Sequence, residues 1–255
     1  MKGKEIIIGP SNGYFYFTFS PPVKSWTEQG KLIYLAGGNC LEFALGREQL
    51  SVNHERMLAL INSPAGSAGF QPRYFSVHLP LYNNCGSSDL IFSSLEKINK
   101  FKPIDCVTMH PSLDCPEEFF AAASEKAIPL ALENIDKPSG LACSLGYQVE
   151  ELSELIERFD LGFIFDIQHA YEHDPSMNYA RKLFFALQDR IRHYHLSGQN
   201  PADCHSLVQK ANNREAVLKF IRWAYQQKRA PIILEGTFSD AEELKREISL
   251  VKRKL

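Results

Sequence analysis

The sequence predicts a single (β/α)8 barrel spanning residues 1–255, and three observations carry that reading. Short apolar runs alternate with segments of helical period along the whole chain without a linker, the pattern of parallel strands joined by helical crossovers. The runs YFSVH, IDCVTMH, IPLALE, LGFIFD, RHYH and APIILE each finish on or just before a residue able to bind a hard or borderline cation. A length of 255 residues is usual for such a barrel, whose chemistry sits on the rim made by the strand C-termini. A doubly wound open sheet is the competing topology, but it gives no reason for polar strand ends to converge.

Strands are expected at EIIIG (5–9), CLEFAL (40–45), RYFSVH (73–78), DCVTMH (105–110), PLALEN (129–134), GFIFDI (162–167), RHYHLS (192–197) and PIILEG (231–236). All are short and rich in Ile, Val, Leu and Phe, as strands covered on both faces should be. Helical period marks 23–36, 53–61, 89–101, 116–127, 149–159, 177–188, 214–228 and 240–254. Asp240 or Ser239 supplies a cap for the last of these, and Pro116 marks the start of the fourth. The longer connections 10–21, 80–88 and 198–212 follow strands and so belong to the functional rim.

Charge and composition exclude little. A net charge of −2 gives no whole-protein cationic field, although a local basic patch remains compatible with it. The six cysteines (40, 85, 106, 115, 143 and 204) are scattered and include no C-x-x-C pair, so they are read as reduced thiols of a cytoplasmic protein. No apolar stretch reaches the roughly 20 residues that a membrane span requires.

The chemistry lies in His78, His110, Glu133, Asp166, His169, His195, Asp203, His205 and Glu235. Imidazole and carboxylate together suit zinc, and also manganese or iron. Nine ligands exceed the needs of one ion, whereas two to three ions sharing carboxylates would use them. Asp166 and His169 form D-x-x-H where the chain leaves a strand. Asp203 and His205 form D-x-H, which extended backbone places on one side. A single histidine is more often a hydrogen-bonded core residue, and His193, one layer below His195, is read that way. Glu133 and Glu235 need partners because they end apolar strands. Glu42 also ends a strand, with structural support and substrate binding both open to it. His54 and His173 are assigned to the surface, and the aromatics Tyr14 to Phe19 to packing over the barrel mouth.

The string SLGYQVEELSELIERF, the strand ends LEN and FDIQHAY, HPS after the fourth strand, HL after the seventh, DCHS and ILEG resemble the endonuclease IV family. These abasic-site nucleases belong to the wider group of xylose-isomerase-like TIM barrels. The resemblance implies a trinuclear zinc centre and, as DNA-repair enzymes, hydrolysis of the phosphodiester 5′ to an abasic site in DNA. His78 and His110 would hold one ion, with Glu133 bridging to a second. Asp166, His195 and Glu235 would complete the second, while His169, Asp203 and His205 would hold the third. Glu235 or Glu133 would orient the attacking hydroxide. Leu81 and Tyr82 stand where the family places its wedge into the duplex, and Arg47 lies near a DNA-contacting loop. Gly236 and Ser197-Gly198 depart from the Thr and Asn-Asp usual in the family.

A second reading is a divalent-metal sugar isomerase or epimerase of the wider group. One ion on Glu133, Asp166, His195 and Glu235 would polarise a carbonyl of a small sugar or sugar phosphate, with Glu133 and Glu235 as the acid/base pair. That mechanism has no use for His78, His110, His169, Asp203 or His205. A metal-containing barrel without catalysis is a third.

Overall fold

The computed structural model describes residues 5–11, 26–45, 71–85, 87–112, 114–135 and 148–255. Strand β1 (Ile8–Pro10) leads to helix α1 (Trp26–Leu35) and strand β2 (Cys40–Ala44). Then come β3 (Tyr74–His78), α2 (Ser88–Phe101), β4 (Cys106–Met109), α3 (Glu117–Glu125), β5 (Leu130–Glu133) and α4 (Val149–Arg158). The chain continues through β6 (Gly162–Asp166), α5 (Ile167–His173), α6 (Asn178–Leu187) and β7 (Ile191–Leu196). A hairpin of β8 (Gly198–Asn200) and β9 (Asp203–Ser206) precedes α7 (Arg214–Gln227), β10 (Ile232–Leu234) and α8 (Ala241–Lys254). The predicted helix at 53–61, His54, Arg47, Cys143 and the aromatics Tyr14 to Phe19 lie outside the described residues.

Eight strands pair in parallel in the order β1-β10-β7-β6-β5-β4-β3-β2, making a single-domain α/β barrel that is nearly closed. The seam lies between β1 and β2. There the Asn39 N–H donates to Ile8 O at 2.9 Å, the Ile8 N–H donates to Asn39 Oδ1 at 2.8 Å, and Ser11 bridges to Glu42. Gly9 permits this approach, since a Cβ at that position would stand 1.9 Å from Cys40 O.

The period of two along each strand sorts side chains between two cores. Leu41, Phe75, Val77, Val107, Leu130, Leu132, Phe163 and Phe165 pack outward in the main cluster with the helices. Cys106, Ala131 and Ile164 form a separate small cluster inside the barrel, against Tyr74. One layer higher the same inward positions carry Glu42, Ser76, Thr108 and His193, all buried, and above them lie the candidate ligands. The β6/β7 register shifts at Phe163/Ile164, so that His193 stands opposite Ile164 and His195 opposite Asp166. The exposed Arg192 is skipped at this bulge, which carries both histidines to the inner face.

Each strand predicted from the sequence is present; β7 keeps its six residues but starts one earlier, the others are shorter by a residue or more, and β1 is shifted toward Pro10. Two elements were not anticipated: α5, and the β8/β9 hairpin within the predicted rim segment 198–212. The caps follow expectation, with the Asp240 side chain accepting the Glu243 N–H at 2.7 Å and Pro116 in the N-cap position of α3. Cys40, Cys85, Cys106 and Cys115 are buried free thiols. No described helix is long and apolar enough to cross a membrane.

Candidate metal centre

Glu133 is the hub of the rim. It ends β5, is fully buried, and meets four imidazoles: Oε2 lies 3.0 Å from His110 Nε2 and 3.1 Å from His78 Nε2. Its Oε1 lies 2.8 Å from His195 Nδ1 and 3.8 Å from His169 Nδ1. Glu235 approaches the same His195 Nδ1 at 3.2 Å from the end of β10. Ligand atoms of His78, Glu133, His195 and Glu235 all fall within 4.8 Å of one another.

A second group, Asp166, His169 and His205, meets the same criterion beside the first. The D-x-x-H spacing has a local cause: Asp166 caps α5, its Oδ1 accepting the His169 N–H at 2.7 Å, which holds both side chains at the mouth. The other oxygen, Asp166 Oδ2, is buried without a hydrogen bond. His205 comes from β9, with Nδ1 3.2 Å from Ser197 Oγ and 3.9 Å from Glu235 Oε2.

Backbone carbonyls fix two of the tautomers, because a carbonyl can only accept. His78 Nδ1 donates to Leu79 O at 2.8 Å and His169 Nδ1 to Asn134 O at 2.9 Å, leaving Nε2 of each as the donor atom for an ion. The donor set is therefore imidazole and carboxylate, suited to zinc, manganese or iron. The orphaned Asp166 Oδ2 fits such a site, since a buried carboxylate oxygen without a partner is costly unless a cation meets it.

Burial opposes ionisation at Glu133, yet the His195 and His110 imidazoles overcome it and hold its pKa well below the usual carboxylate range. Glu235 is affected oppositely: burial outweighs His195, and Glu133, Asp166 and Glu42 add to it, raising its pKa well above the ordinary value. Burial also opposes charge on His195, but Glu133, Glu235 and Glu42 prevail and push its pKa well up. Burial lowers that of His205.

The structure thus gathers His78, His110, Glu133, Asp166, His169, His195, His205 and Glu235 at one mouth. It leaves Asp203 at the edge: Asp203 Oδ1 accepts the His205 N–H at 2.9 Å, and Asp203 belongs to none of the three ligand groups. Asp166 joins His169 and His205 rather than the group containing Glu133. The half-buried Tyr82 has its ring 5.4 Å from Phe119 and its hydroxyl 2.9 Å from Ser88 Oγ, whereas Leu81 beside it is exposed. Ser11 and Ala44 were missed by sequence reasoning, having no metal-binding chemistry to flag them. They line the pocket of about 300 Å³ with His78, His110, Glu133, His169, His205 and Glu235. His193 is buried in the barrel core as expected, and His173 stacks on Tyr179 at 4.0 Å.

Neither a known family model nor a curated protein matches the sequence. Solved structures do match in three dimensions. A D-tagatose 3-epimerase-like protein superposes with a TM-score of 0.63 at 18% identity, covering 98% of this chain and 97% of that one. D-psicose 3-epimerase from Clostridium cellulolyticum H10, solved with D-tagatose, gives 0.66 at 12% identity, covering 97% of each chain. AsfvAP:AG gives 0.64 at 13% identity, covering 98% of this chain and 99% of that one. The chain shares the TIM-barrel fold of these structures. At these identities the likeness extends to the fold, and the ligand groups of this chain have to carry any functional reading.

Proposed function

We propose that the chain is a divalent-metal-dependent isomerase or epimerase acting on a small carbohydrate. The observation that carries this reading is the pair of buried carboxylates, Glu133 and Glu235, flanking His195 Nδ1 in one pocket of about 300 Å³. That volume sits at the small end of ligand sites and suits a monosaccharide better than a polymer. The sugar 3-epimerases among the structural neighbours support the same class by analogy.

His78, Glu133, His195 and Glu235 would hold the ion, which when bound supplies electrostatic polarisation of a substrate carbonyl oxygen. In this reading Glu133 accepts the proton from the carbon beside the carbonyl, and Glu235 returns a proton to the substrate.

A second reading has its own support. Asp166, His169 and His205 form a further ligand group, and His110 stands by Glu133, which is more than a single ion uses. Together with the resemblance to endonuclease IV, this supports a multinuclear phosphodiesterase that cuts DNA at abasic sites.

Incubation of the metal-loaded protein with a panel of ketoses in deuterated water separates the two. Deuterium entering the carbon beside the carbonyl is the expected result. Cleavage of an abasic duplex with no exchange into any sugar would overturn the isomerase and establish the phosphodiesterase.

A further inference from the structure

Beneath the two groups at the mouth lies a third, fully buried group that meets the same criterion, Glu42, His193 and His195, and neither reaction uses it. Glu42, from β2, is fully buried, and its Oε2 accepts from Thr108 Oγ1 at 3.0 Å and Ser76 Oγ at 3.1 Å. Its two oxygens stand 3.2 and 3.3 Å from His195 Nε2, on the face of the ring opposite Glu133 and Glu235. His193 Nε2 lies 2.9 Å from His195 Nε2 and 3.4 Å from Glu42 Oε2, while His193 Nδ1 lies 2.8 Å from the Tyr74 hydroxyl.

An ionised carboxylate only accepts, so in the metal-free protein a proton on Nδ1 of His195 points at Glu133 and one on Nε2 points at Glu42. An ion seated at Nδ1 would leave the ring proton on Nε2, directed at Glu42. His193 Nε2 must then accept, which leaves the proton of His193 on Nδ1, directed at Tyr74 Oη. Glu42 thus stands behind the ring nitrogen that an ion at Nδ1 would leave protonated. We propose that Glu42 is a positioning residue that locks the tautomer and ring plane of His195, presenting Nδ1 to a divalent ion. This rests on the metal-dependent reading above, and it adds a residue that touches neither ion nor substrate. A carboxylate behind a ligating imidazole both orients the ring and raises its basicity.

The test uses Zn2+ alone with the full chain. Nitrogen-15 NMR of the histidine rings in the Zn2+-loaded parent should show His195 protonated at Nε2 and metal-bound at Nδ1. The reverse tautomer overturns the proposal whether or not any variant folds. Glu42→Met removes the acceptor at similar volume and should weaken Zn2+ binding, measured by chelator competition, by about 10–100-fold. Glu42→Gln, which keeps one acceptor oxygen, should recover most of that loss and the parent tautomer. Parent-like affinity and tautomer in Glu42→Met would refute the role of Glu42 alone. A parent that binds no Zn2+ would bring down the metal-dependent reading and Glu42 with it.

Discussion

Glu133→Gln tests the hub of the site most directly. The change preserves shape and removes charge from a buried group that faces His195, His110, His78 and His169 at 2.8, 3.0, 3.1 and 3.8 Å. An amide has one acceptor oxygen, so its NH2 would confront an imidazole that the second carboxylate oxygen now satisfies. Removing one partner of a buried pair costs about 3–5 kcal/mol. In a chain of this size each kcal/mol moves Tm by about 2–4 °C, so the metal-free variant should melt roughly 6–20 °C below the parent. Zn2+ at a hundred times its Kd should add about 2.7 kcal/mol to the parent and little to the variant, which has lost the group central to the ligand set. Scanning calorimetry with and without Zn2+ at neutral pH reads both effects. Because the folded-state pKa of Glu133 is depressed, its contribution is present above its unfolded pKa and disappears as pH falls through the folded value. The gap between parent and variant should therefore narrow in acid. A variant that melts with the parent and gains as much from Zn2+ would refute the assignment of Glu133 as the hub.

Gly9→Ala should destabilise the barrel at its seam, because the new Cβ would stand 1.9 Å from Cys40 O; overpacking of this kind costs about 1–3 kcal/mol, and an unchanged urea midpoint would contradict it. Glu247 accepts backbone N–H groups from Val208 and Gln209, yet burial pushes its pKa up to about 7. Its contribution is thus present below the ordinary value of 4.5 and lost as pH rises through about 7, so Glu247→Gln should flatten the fall in stability over that window in denaturant melts. His205→Ala should reduce the number of ions bound per chain if the Asp166 group holds one, and an unchanged count by elemental analysis would limit the centre to the Glu133 group. Tyr82→Ala should lower stability by about 1–3 kcal/mol through the lost ring and hydrogen-bond contacts, without changing turnover of the substrate identified; a selective loss of activity would restore a substrate role.

The barrel was legible because each strand is buried on both faces, so it reads as an apolar run whose end is marked by the first group that must meet water, metal or a partner. The two unforeseen elements lack that mark. Helix α5 is IQHAYEH, seven residues that directly continue a strand, and it is nucleated by the side chain of Asp166 rather than by an amphipathic repeat. The β8/β9 hairpin is too short and polar for a strand signature, and its turn depends on Asn200 Oδ1 accepting the N–H groups of Ala202 and Asp203. Gly236, a departure from the endonuclease IV pattern, also has a local cause. A Cβ there would stand 2.7 Å from Leu207 Cδ2, because the segment after the hairpin packs against the end of β10.

The candidate ligands were legible for a different reason: periodicity gives the face of a strand, and the strand end gives height. His78, Glu133, Asp166, His195 and Glu235 satisfy both conditions, which is why their gathering at one mouth follows from the sequence alone. Asp203 satisfies neither, and its position at the edge, bonded to the His205 N–H, depends on a turn that period-two reasoning does not see. Glu42 marks the limit most clearly. Its face was apparent, but its height was not, because β2 sits at the seam, where the register depends on Gly9 and Asn39. One layer of difference separates the candidate ligand carboxylates from the one proposed to stand behind them, and only the paired geometry of Glu42 and His195 brings that difference out.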